Sequence, residues 1–63
     1  MHEDIMLQLI KQDANKNGRA FAPKIRMQAT ALNIPIEDVI RVIQRLIEKG
    51  KVCKDGKKWL VPM

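Results

Sequence analysis

Apolar residues recur along this chain at two spacings, and each spacing predicts its own kind of element. Ile5 and Leu9, and Met6 and Ile10, stand four apart and form one stripe on a helix over residues 4–16. Glu3 and Asp4 favour the positive end of that helix dipole, and Asn17-Gly18 supplies a left-handed stop. The run Arg19-Ala20-Phe21-Ala22 is too short for a helix before Pro23, so it predicts an extended link or a very short strand. Pro23 suits the first turn of a helix. Ile25, Ala29 and Leu32 then recur at four and three residues, which gives a second helix over about 23–32. Asn33, tolerant of the left-handed conformation, makes the turn.

Pro35 opens a third helix, 35–49, which stops at Gly50. Ile36, Val39, Ile40, Val42, Ile43, Leu46 and Ile47 fill one arc of roughly 160° at about 100° per residue. Glu37, Asp38, Arg41, Gln44, Arg45, Glu48 and Lys49 fill the other. The tail, 51–61, changes to short apolar runs on either side of Asp55-Gly56, a strong hairpin signal. A two-residue loop there pairs Lys54 with Lys57, Cys53 with Lys58 and Val52 with Trp59. The expected fold is mainly α: three helices and a short two-stranded β-hairpin in a single domain over 1–63. Leu46 and Phe21 belong in its core, and Trp59 anchors the hairpin to the helices.

The order helix, short strand, helix, turn, helix, hairpin resembles winged helix-turn-helix domains over nearly the whole chain. Ala29, Asn33 and Val39 match the small crossing residue, the turn residue four later and the aliphatic six further on. Helix crossing needs a small side chain and the turn needs positive φ. The stretch Val42–Val52 is similar to the junction between helix three and the wing, with Gly50 releasing the chain. The nearest pattern is that of Z-alpha-type winged domains, which also place a Trp in the second wing strand, as Trp59 is here. Arg41 and Trp59 match that pattern, whereas Ile40 and Gln44 stand where those domains carry the Asn and Tyr that read left-handed DNA. Recognition of the left-handed form is therefore not expected. The resemblance implies nucleic-acid binding, with helix three toward a groove and the wing on the backbone.

Charge strengthens that expectation. The 63 residues carry a net charge of +5, concentrated in two stretches: Arg19, Lys24 and Arg26, and the wing lysines Lys51, Lys54, Lys57 and Lys58. A basic face points to polyanions if the two stretches meet in space. There is one Cys, one His, one Thr and no Ser. No disulfide, metal cluster or nucleophile–base pair can be assembled from these, so neither an enzyme nor a cofactor is expected. No apolar run approaches the roughly 18 residues of a membrane span. The acidic Met1–Asp4 opposes a signal peptide, and the lone thiol suits a cytoplasmic setting.

The candidate nucleic-acid-binding residues are Lys24, Arg26, Arg41, Gln44, Arg45, Lys54, Lys57 and Lys58. Gln44 and Arg45 can match adenine and guanine edges, and Arg41 lies on the same polar arc. The lysines match phosphates, and a Lys54–Lys57 pair across a tight hairpin is easier to understand with an anion between them. Alternatively, these side chains only solvate a helix face and protect a sheet edge. Glu37 and Asp38 repel phosphates at the start of helix three, while stabilising its dipole. Duplex DNA is the first expected ligand, ahead of single strands, with RNA left open and weak sequence specificity, in a regulatory or accessory role in transcription or replication. The competing expectation is a homodimer or a protein partner within a nucleic-acid-processing assembly. It rests on the width of the helix-three stripe, whose edge carries Ile36 and Ile40.

Overall fold

A computed structural model describes residues 2–63. The elements are α1 (Glu3–Asn17), β1 (Ala20–Phe21), α2 (Ala22–Ala31), α3 (Ile36–Glu48), β2 (Val52–Asp55) and β3 (Trp59–Pro62). Three helices, a C-terminal hairpin and an antiparallel three-stranded sheet of order β1-β3-β2 give a winged-helix-like topology. The wing is thus not only two-stranded. The short strand before α2 pairs Ala20 with Leu60 and Phe21 with Trp59, so β3 is central.

Each punctuation mark in the sequence has a structural counterpart. Gly18 ends α1 at φ 85, and its N–H reaches the Ala14 carbonyl at 2.7 Å. Asn33 takes φ 66 in the turn between α2 and α3. Every element contributes to one core: Met6, Ile10, Ala20, Ile25, Ala29, Ile34, Val39, Leu46, Val52 and Leu60. Ala29 is fully buried where α2 and α3 pack. Leu46 is buried as expected.

The hairpin register differs from the two-residue expectation. Val52 faces Pro62, Cys53 faces Val61, Lys54 faces Leu60 and Asp55 faces Trp59, leaving Gly56-Lys57-Lys58 as a three-residue connection. Opposed residues share a sheet face, and a one-residue slip sends a strand's side chains to the other face. With a two-residue loop, Val52 and Leu60 point to opposite faces. With three, both enter the core, where they are 2% and 1% exposed. Burial of two aliphatics therefore overrides the local turn signal, and Gly56 alone supplies positive φ, at 80°. The Lys54–Lys57 opposition and the Val52–Trp59 pair do not form.

Trp59 lies on the outer face of the sheet instead, half-buried. Its ring meets Phe21 at 4.8 Å between centroids, and the Arg19 guanidinium stacks over it at 4.2 Å. Arg19 also bridges Asp55 at 3.0 Å. Phe21 is accordingly half-buried beside Trp59 rather than in the core. Leu32, expected on the α2 stripe, caps the helix and is 55% exposed, because the stripe ends at Ala29 and Ile34 fills the core beyond it. On α1 the buried line is Met6, Ile10, Asp13 and Ala14, and Ile5 is exposed.

Candidate nucleic-acid interface

The buried line on α1 includes a carboxylate, and that carboxylate organises the start of α2. Asp13 is 4% exposed. Its Oδ2 accepts the Phe21 N–H at 2.9 Å, and its Oδ1 accepts from Lys24 Nζ and Asn17 Nδ2, each at 2.9 Å. The Phe21 N–H, then the Lys24 ammonium, hold the Asp13 pKa below the ordinary carboxylate value. The next N–H, that of Ala22, donates to the Lys58 carbonyl at 2.7 Å, and Pro23 has none to donate. Two amides at this helix start are thus satisfied from outside the helix, one by α1 and one by the hairpin. The two bonds tie the start of α2 to α1 on one side and to the wing on the other.

Between α2, α3 and the hairpin runs a groove of about 390 Å³. Ala22, Ile40, Ile43, Ile47 and Leu60 give it aliphatic walls; Arg26, Gln44, Lys54 and Lys57 supply its polar groups. Lys54 reaches this side because it shares a sheet face with Leu60, its partner in the observed register. The two basic stretches of the sequence therefore meet here, through Arg26 on one side and Lys54 and Lys57 on the other. No carboxylate lines the groove. None of these three cations has an ion-pair partner among the described residues.

The other candidates are placed differently. Lys58 is exposed in the hairpin connection. Arg41 is exposed on α3, within the stripe Glu37, Arg41, Gln44 and Glu48 that runs at helical spacing with an acid at each end. Arg45 turns to α1, 3.7 Å from Glu3, which Lys49 also bridges at 2.8 Å. The hydrogen bond from Lys49, followed by the charges of Lys49 and then Arg45, draws the Glu3 pKa below its ordinary value. Lys24 lines a separate cleft of about 60 Å³ with Leu9, Gln12, Asp13, Lys16 and Gln28. Lys24 and Arg45 are thus outside the groove. Ile40 lines it, and both Ile36 and Ile40 are exposed, at 46% and 52%.

No family model, curated protein or solved structure matches the chain. The topology and the groove chemistry therefore carry the functional reading. Among the described residues no group of three or more His, Cys, Asp or Glu is placed to hold a metal, and no helix is long and apolar enough to cross a membrane. Sequence reasoning missed Asp13 and Glu3 as anchors. Asp13 had a visible signal, since it falls three residues after Ile10 and seven after Met6, on the buried line of α1. Glu3 had none, because its partners lie on α3.

Proposed function

We propose that this domain binds nucleic acid, duplex DNA first, as a small regulatory or accessory module with weak sequence specificity. The observation that carries the reading is the convergence of Arg26, Gln44, Lys54 and Lys57 from three elements on one groove without a carboxylate in its lining. Cations there neutralise backbone phosphates, with Lys58 extending the contact from the hairpin connection. Base reading is limited to Arg41 and Gln44, because Glu37 and Glu48 bracket them on α3 and Arg45 is drawn toward Glu3. One guanidinium and one amide offer little discrimination.

The test is a duplex titration at several salt concentrations. Binding is expected in the micromolar range at low salt, with a log–log slope of about −0.9 for each phosphate neutralised. Lys54→Ala, Lys57→Ala and Lys58→Ala combined should weaken binding to all sequences and flatten that slope. A triple variant that binds like the parent, with the same slope, sinks the reading.

A further inference from the structure

Phosphates account for the cations of the groove and not for its walls. Ile40, Ile43, Ile47 and Leu60 gain nothing from a sugar–phosphate backbone, yet they form an aliphatic surface between Arg26 and the hairpin lysines. Ile36, four residues before Ile40, continues this surface out of the groove along the same flank of α3. Both isoleucines are about half exposed.

We propose that the groove docks an amphipathic helix of a partner protein, with aliphatic side chains at three- and four-residue spacing and acidic side chains along its edges. The aliphatic face would lie on Ile36, Ile40, Ile43 and Ile47, and the acids would meet Arg26, Lys54 and Lys57. Charge complementarity selects this occupant over a second copy, since the chain carries +5 and brings net like charge to a cationic rim. The stripe from Ile36 to Ile47 spans about 16 Å at 1.5 Å per residue, which asks for roughly three turns of partner helix. Arg26, Lys54 and Lys57 are common to this surface and to the nucleic-acid surface. Partner and nucleic acid therefore exclude one another, a consequence that rests on the function proposed above.

The experiment uses the full chain and a fluorescein-labelled synthetic helix of about three turns, with leucines along one face and glutamates on both flanks. Anisotropy measures its binding, and release of a labelled duplex on adding unlabelled peptide measures competition. Saturable binding, weakened on the order of tenfold by Ile40→Ser, is expected. Lys57→Glu, in the exposed hairpin connection, should weaken it comparably. Circular dichroism checks that both variants fold. Equal binding to Ile40→Ser, or of a peptide with serines in place of the leucines, overturns the docking site by showing charge attraction alone. Duplex binding without peptide binding overturns the docking site and leaves the nucleic-acid reading standing. Peptide binding without duplex binding supports the docking site and refutes the nucleic-acid reading. A ternary complex overturns mutual exclusion, and a dimer abolished by Ile40→Ser identifies the occupant as a second copy, against the proposal.

Discussion

Replacing Asp13 by Ala removes one carboxylate and three hydrogen bonds, and the structure indicates how much of that loss is felt. The Asn17 amide and the Lys24 ammonium are on exposed residues and return to water, so their bonds contribute about 0–1 kcal/mol each. The Phe21 N–H lies at the start of α2 on a half-buried residue, and its bond to a charged acceptor is worth about 1.5–3 kcal/mol. The sum is about 1.5–5 kcal/mol, against a total of roughly 3–9 kcal/mol for a domain of this length. Asp13→Asn keeps an oxygen for the Phe21 N–H and should cost only about 1–2 kcal/mol. Urea unfolding followed by far-ultraviolet circular dichroism measures both. The acid limb gives a second readout. Because the folded pKa of Asp13 is depressed, the unfolded chain takes up the proton first and stability rises with pH across that window. The contribution is complete above the ordinary aspartate range and fades as pH falls through the depressed value. Glu3 adds in the same sense through Lys49 and Arg45. Asp13→Asn should therefore flatten the acid limb and leave only the part due to other carboxylates. A loss below 1 kcal/mol in Asp13→Ala, or an unchanged acid limb in Asp13→Asn, refutes the reasoning.

Leu46→Ala empties the centre of the α3 packing face and should cost about 2–5 kcal/mol, read as a large fall in the thermal midpoint. A midpoint that barely moves would show that the core closes around the gap. At Gly18 an added Cβ meets nothing within 4 Å, so Gly18→Ala tests backbone conformation alone. At φ +85 it should cost about 1 kcal/mol by urea unfolding, and no loss would show that α1 does not need its left-handed stop. Ile36→Ser with Ile40→Ser should leave the unfolding midpoint nearly unchanged, since both side chains are about half exposed, and collapse of the fold would contradict that placement.

The helices, the Asn33 turn and the short strand were legible because each is written in local spacing: aliphatics at three and four, Gly or Asn at the stops, Pro at the starts. The hairpin was legible as a hairpin but not in register. Asp55-Gly56 is a local preference worth less than burying Val52 and Leu60 together, and that burial depends on helices distant in sequence. The site divides the same way. Arg26, Gln44, Lys54, Lys57 and Ile40 meet in the groove, and their meeting could be expected once the hairpin was folded back on α2 and α3. Lys24 and Arg45 carry the right charge for the groove, but Asp13 and Glu3 on α1 hold them elsewhere. The place of Asp13 on the apolar line of α1 marks its burial, but no pattern in the sequence marks which cation either carboxylate takes.

The strand order β1-β3-β2 has a consequence for the sequence of folding events. The central strand, Trp59–Pro62, is the last of the three in the chain, so Ala20 and Phe21 have no neighbour until it arrives. During synthesis α1, α2 and α3 can form turn by turn as they emerge, since their bonds are local. The sheet cannot. β2 closes on β3 through a short connection, a fast step, whereas β1 must be joined across most of the domain, with the greater loop entropy that a long closure carries. Hairpin first and β1 last is the order these distances favour, and until then Trp59 lacks Phe21 and the Ala22 N–H lacks the Lys58 carbonyl. A nascent chain halted before residue 59 would leave helices of this length, marginal alone, without the strand whose Leu60 completes their shared core.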